Sequence, residues 1–166
     1  MIAGADVLGQ HALMLRGIDP VLGPDLLFVL RAMGHGDEIA VVDANYPASE
    51  GAKRLIRAEG TDAVRMVEAI LTLLPLDTFV ETTAFRMEVV DDPQALPPVC
   101  RALEELIARQ AGGHRVGTLE RSEFYARARA CFAIVATGER RLYGNLILKK
   151  GVIPPPEPEN EANPHP

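Results

Sequence analysis

From Pro24 to Lys149 the chain alternates between stretches of helical period and short apolar runs, and that alternation limits the folds open to it. Pro24 and Asp25 suit a first helical turn, where a missing N–H costs nothing and a carboxylate meets the positive helix end. Leu26, Leu27, Val29, Leu30 and Met33 follow at helical spacing, and Gly34 fits the residue after the helix end. Residues 38–43 read as a buried strand, with Ile39, Ala40, Val41 and Val42 between two carboxylates. Thr61 is placed to cap a helix carrying Val64, Val67, Ala69, Ile70, Leu71 and Leu74, stopped by Pro75. Residues 79–90 are β-branched and partly alternating, which predicts a strand. Residues 97–110 repeat Leu103, Leu106 and Ile107 inside with Glu104 and Arg109 outside, a helix ended by Gly112-Gly113. Residues 123–130 are helical by propensity. Residues 132–137 and 143–149 are strands, with a turn at Gly138-Glu139. Helices and strands mixed at this spacing predict an α/β domain.

The ends differ from this middle. Residues 1–13 are small and apolar without a clear period, so they are expected to be an extension, with Met14 as an alternative start. Six of the 13 prolines fall in residues 154–166, together with three glutamates, which predicts a disordered tail. No basic leader with a long apolar run opens the chain, and its apolar runs are far shorter than the ~20 residues that span a bilayer. A cytoplasmic protein without a membrane partner is expected. A net charge of −6 argues against nucleic acid as a partner, because phosphate affinity needs a concentrated basic face. Cys100 and Cys131 form no metal spacing and no disulfide framework. Cys131, inside an apolar run, reads as a small core residue, in keeping with a reducing compartment.

Three segments carry groups suited to chemistry. His35 stands between Gly34 and Gly36 where a helix passes into a strand. A loop tip exposes the imidazole, which gives and takes protons near neutral pH. The alternative is a histidine serving the helix dipole. Asp43 ends the following strand, where a carboxylate accepts bonds from hydroxyls or simply forms a turn with Ala44-Asn45-Tyr46-Pro47. Tyr143-Gly144-Asn145 offers a flat ring, close backbone approach and an amide that both donates and accepts, a mixture suited to a sugar. A core tyrosine opening a strand is the other reading. Residues 121–129 form a helix with a solvated basic face, on which Arg121 is odd, since a cation disfavours the helix start. His35-Gly36-Asp37 lacks the further ligands of a metal site, and the chain contains no phosphate-binding glycine loop and no nucleophile elbow.

The order of several short motifs resembles the RbsD/FucU family of sugar mutarotases. They are Leu15-Arg16-Gly17-Ile18-Asp19-Pro20, Met33-Gly34-His35-Gly36-Asp37-Glu38-Ile39 and Asp43-Ala44-Asn45-Tyr46-Pro47-Ala48. Ile56-Arg57-Ala58-Glu59-Gly60, Phe124-Tyr125-Ala126-Arg127-Ala128, residues 132–139 and Tyr143-Gly144-Asn145-Leu146-Ile147-Leu148 follow in order. The resemblance covers residues 15–153 and is weakest over 78–115. It implies an RbsD-like single domain over residues 14–153, with a central sheet flanked by helices. It also implies an enzyme without cofactor or metal that interconverts the α and β anomers of a monosaccharide. His35 takes the place of the family's proton donor, and Asp43, Arg121, Tyr143, Gly144 and Asn145 take the places of its substrate-binding residues. Gly36 and Gly144 favour the L-fucose branch over the D-ribose pyranase branch, and a non-catalytic sugar-binding accessory is the reading from another class. Family members form ring-shaped homo-oligomers, often decamers, with sites near subunit contacts. Whether Tyr125 or Glu139 reaches the sugar is left open by the residues alone.

Overall fold

A computed structural model describes residues 15–110 and 115–156, with residue 110 described by its backbone only. The expected extension at residues 1–13, the Gly112-Gly113 stop and all but the first three residues of the tail lie outside the described residues. In chain order the elements are α1 (Pro24–Ala32), β1 (Glu38–Val42), α2 (Ala48–Gly51), β2 (Leu55–Ala58), α3 (Ala63–Leu71) and β3 (Thr82–Met87). They continue with α4 (Pro98–Gln110), β4 (Arg115–Leu119), α5 (Arg121–Ala130), β5 (Ala133–Thr137) and β6 (Leu146–Lys149). The six strands form one sheet in the order β2-β5-β1-β6-β3-β4. β1 runs parallel to β5, β5 to β2 and β3 to β4, while β6 lies antiparallel between β1 and β3. The fold is α/β, a central sheet flanked by helices on both faces.

Strand alternation divides the core. Ile39, Val41, Val135, Leu146 and Leu148 pack on one face with Leu26 and Leu30 of α1, Val67 and Ile70 of α3, and Leu103 and Ile107 of α4. Ala40, Val42, Ile134 and Ile147 face the other way, against Phe124 and Ala128 of α5 and Ala48 of α2. Both faces of the central strands are covered, so β1 and β5 read as continuous apolar runs rather than alternating ones. Cys131 is buried in the second cluster, and both cysteines are free. Burial pushes the Cys131 thiol up to about 12.

Several expected boundaries move for local reasons. Asp62, not Thr61, caps α3: its Oδ1 accepts from the Arg65 N–H at 2.9 Å, and a carboxylate suits the helix start better than a hydroxyl. α3 ends at Leu71, short of Leu74. Met33, the C-cap of α1, is extended, and the left-handed residue of this turn is Gly36 (φ +83°), not Gly34. The strand expected at 79–90 shortens to Thr82–Met87. The strand expected from Tyr143 begins at Leu146, because Tyr143 itself adopts φ +69°, outside any strand conformation. Arg121 is the first residue of α5, two residues earlier than propensity predicts. Glu120 and Glu123 form a capping box there and supply the negative charge the helix start favours.

Candidate active site

The carboxyl ends of β1 and β3, the start of α5 and the segment leading into β6 meet around a cleft of about 170 Å³. Open α/β sheets bind ligands at this end of their parallel strands. Asp43, Arg121, Tyr143 and Asn145 all line the cleft, so four of the residues singled out in the sequence come together. Asp43 and Asn145 are buried and clasp each other. The Asp43 N–H donates to Asn145 Oδ1 at 2.9 Å, and Asn145 Nδ2 donates to Asp43 Oδ2 at 2.9 Å. The Asn45 N–H donates to Asp43 Oδ1 at 2.9 Å. Each Asp43 oxygen accepts one of these bonds and has a further lone pair, so Asp43 keeps acceptor capacity for a ligand hydroxyl while its orientation is fixed. Register sets this clasp: Val41 pairs with Leu146, which brings the residues just beyond each strand end side by side.

Tyr143 is held in its left-handed conformation by its surroundings. Its carbonyl accepts from the Cys100 thiol at 3.4 Å, and its phenol oxygen accepts from the Val90 N–H at 3.3 Å. A bulky residue at positive φ costs on the order of 1–3 kcal/mol and persists only where packing overdetermines it, often at a functional site. Gly144 is buried, and a Cβ there would stand 2.6 Å from Glu139 Cγ and 3.3 Å from Val99 Cγ2. Its missing side chain is thus explained by packing beneath the cleft. The Arg121 side chain is exposed and makes no hydrogen bond or ion pair among the described residues, leaving its guanidinium available to oxygen atoms of a ligand.

The cleft also includes residues that the sequence did not single out: Asn45, Tyr46, Met87, Val90 and Leu142. Tyr125 joins it as well, and its signal was its spacing four residues after Arg121, which puts both on one face of α5. Burial, with the neighbouring Tyr125 adding to it, pushes the Tyr46 phenol up to about 12, so it stays a neutral donor. Glu139 does not line the cleft. It is buried below, where it accepts from Arg141 Nε at 2.8 Å and from the Ala63 N–H at 3.4 Å, tying the start of α3 to the loop before β6. Hydrogen bonds from the Arg141 side chain hold its carboxyl below the usual value, against the opposing effect of burial.

His35 is elsewhere. It precedes β1, whereas Asp43 follows it, and the four steps along Glu38–Val42 alone separate the two ends by about 13 Å. Its turn is pinned to the end of β6: the Gly36 N–H donates to the Lys150 carbonyl and the Lys150 N–H to the Asp37 carbonyl, both at 2.8 Å. His35 Nε2 stands 3.3 Å from Oδ1 of Asp77, and the imidazole packs edge-on against Phe79 with ring centres 5.6 Å apart. The pairing with Asp77 was not legible in the sequence, because it joins two loops 42 positions apart. Among the described residues no cluster of three or more His, Cys, Asp or Glu could hold a metal ion, and no helix is long and apolar enough to cross a membrane.

The family model of the RbsD / FucU transport protein family matches residues 16–153. A fucose mutarotase of Mus musculus is 48% identical over 145 residues, covering 84% of this chain and 95% of the relative. An L-fucose mutarotase of Haemophilus influenzae is 41% identical over 142 residues, covering 85% of this chain and 99% of the relative. Among solved structures, the fucose mutarotase of Streptococcus pneumoniae in complex with L-fucose superposes with a TM-score of 0.79. It is 41% identical, with 84% of this chain and 99% of that one covered. RbsD of Bacillus subtilis in complex with D-ribose shares the fold, with a TM-score of 0.65 at 22% identity and 80% and 95% of the two chains covered.

Proposed function

This chain belongs to the RbsD / FucU family, and on that premise we propose that it is an isomerase interconverting the α and β anomers of L-fucose. The observation that carries the reading is the gathering of Asp43, Arg121, Tyr143 and Asn145 around one cleft, in a chain 41% identical to a mutarotase that holds L-fucose. The unit responsible is residues 14–153, a span supported by the family match.

Mutarotation opens a cyclic hemiacetal and recloses it on the other face of the carbonyl. A base takes the proton of the anomeric hydroxyl, the bond from the anomeric carbon to the ring oxygen breaks, and the ring oxygen gains a proton. The aldehyde turns about its carbon–carbon bond, and the same steps run backwards. One proton leaves and one arrives, so the sugar ends with its original composition. His35 is the acid–base group, and such groups contribute roughly 10²–10⁴-fold. Asp43 and Asn145 bond the hydroxyls, Arg121 approaches them as a cation, and Tyr143 supplies its ring at the cleft wall.

This division requires two copies of the chain. His35 and the Asp43 cleft sit at opposite ends of β1, so a complete site takes His35 from one subunit and the cleft from its neighbour. Exposed apolar side chains at both ends support such a contact: Phe79 beside His35, and Leu142 at the cleft. A ring-shaped homo-oligomer, a decamer by family resemblance, satisfies the geometry. Free buried cysteines support a cytoplasmic setting.

Saturation-transfer NMR measures anomer exchange directly. Exchange of L-fucose should accelerate in proportion to added protein. Acceleration with D-ribose but not L-fucose would place the substrate in the other branch, and no acceleration with any sugar of a panel would refute the activity.

A further inference from the structure

A second cavity, of about 370 Å³, adjoins the cleft and is lined by Tyr46, Pro47, Glu50, Gly51, Tyr125 and Arg129. Tyr46 and Tyr125 line both spaces, and their rings pack edge-on with centres 4.9 Å apart, so this aromatic pair is the wall between them. α5 serves both sides of that wall. Arg121, Tyr125 and Arg129 recur every four residues on one helix face, which gives each cavity one arginine. α2 supplies Glu50 and Gly51. A Cβ on Gly51 would stand 2.7 Å from Arg129 Cγ and 3.2 Å from Cδ, so the bare glycine lets the arginine stem cross α2. Glu50 and Arg129 are exposed, and neither side chain makes a hydrogen bond or ion pair among the described residues.

We propose that this cavity is a second sugar subsite, so that the protein takes reducing disaccharides in which L-fucose carries a further neutral sugar on a ring hydroxyl. The proposal rests on the reading of the Asp43 cleft as the L-fucose site. That cleft, at about 170 Å³, is of a size for one pyranose ring, and the adjoining space is more than twice as large. Tyr46, Tyr125 and Pro47 offer apolar surface to the C–H groups of a second ring. Glu50 accepts from its hydroxyls and Arg129 donates to them. Two opposite charges suit a neutral, hydroxyl-bearing ligand, because a phosphate or carboxylate drawn to Arg129 is repelled by Glu50. Mutarotation also fixes where the second sugar is attached. The anomeric carbon has to keep its free hydroxyl to open the ring, so the link runs through O2, O3 or O4 of L-fucose.

The test is titration calorimetry on the full chain with free L-fucose and three disaccharides, bearing D-galactose on O2, O3 or O4 of reducing L-fucose. At least one disaccharide should bind about tenfold more tightly than L-fucose, the effect of one or two added hydrogen bonds to charged groups. Arg129→Ala should abolish that gain and leave the Kd of L-fucose within about twofold, since Arg129 lies outside the Asp43 cleft. Gly51→Ala, which displaces the Arg129 stem, should act in the same direction. L-fucose binding with no gain for any disaccharide overturns the subsite, and so does a gain that survives Arg129→Ala. If neither L-fucose nor any disaccharide binds, the reading of the cleft falls and the subsite with it. Saturation-transfer NMR on the favoured disaccharide should show exchange at its reducing end. Tight, Arg129-dependent binding without exchange of either sugar overturns the mutarotase reading alone and leaves the subsite standing.

Discussion

The two ends of β1 use their polar groups in opposite ways. At the carboxyl end, Asp43 and Asn145 are buried and mutually bonded, and Gly144 and Glu139 pack tightly beneath them. At the amino end, His35 stands half in solvent on a glycine turn, with a single buried partner. A binding surface must present several groups at fixed spacing, so it is built into the rigid edge of the sheet. A proton carrier needs one nitrogen free to reach the substrate and one held in place. In the proposed reading, holding the sugar and moving its proton fall to separate elements, which a neighbouring subunit brings together.

Replacing His35 strikes one end alone. His35→Ala should slow anomer exchange by about a hundredfold or more while leaving KM for L-fucose close to wild type. A large rise in KM at unchanged kcat would erase the contrast between the ends. Arg121→Ala strikes the other end and should raise KM. Co-assembled His35→Ala and Arg121→Ala chains should show more activity than the sum of the separate variants, because some sites combine an intact histidine with an intact cleft. No recovery in confirmed mixed oligomers would show that both ends act within one chain.

Gly144→Ala probes the rigidity of the cleft floor. The added methyl meets Glu139 Cγ and Val99 Cγ2, so the unfolding free energy from urea titration should fall by about 1–3 kcal/mol, the usual cost of overpacking. A change of that size at Gly36, where a Cβ meets nothing within 4 Å, would have to come from its positive φ instead. The smallest effect concerns acid. The folded carboxyl of Glu139 titrates below its ordinary 4.5, so its contribution is complete above that pH and fades as pH falls through the lower folded value. Glu139→Gln should flatten this part of the stability–pH curve, measured from urea midpoints, and an unchanged slope would remove Glu139 from the acid response.

The strands that sequence reading found and those it missed differ by position in the sheet. β1, β5 and β6 lie inside it, buried on both faces, and their apolar runs are plain. β2 and β4 are its two edges, only partly buried, and Leu55–Ala58 and Arg115–Leu119 carry an arginine and, in β4, a glycine. An edge strand has one neighbour and less covering, so little apolar pattern is required of it. The four-residue α2 is too short to carry a period. The cleft was legible where it lay in short motifs, as with Asp43 and Tyr143-Gly144-Asn145. Val90 and Leu142 carry no chemical signal of their own and enter only by proximity.

By itself the sequence determined the alternation of elements, the core faces and the loop ends at which His35 and Asp43 sit, because periodicity and turn chemistry act between neighbours. Only the tertiary structure decided which of these residues meet. Asp43 and Asn145 lie 102 positions apart and share two hydrogen bonds, since pairing of β1 with β6 brings their ends together. His35 and Asp43 lie eight positions apart and stand at opposite ends of a strand, because an extended backbone advances about 3.3 Å with every residue.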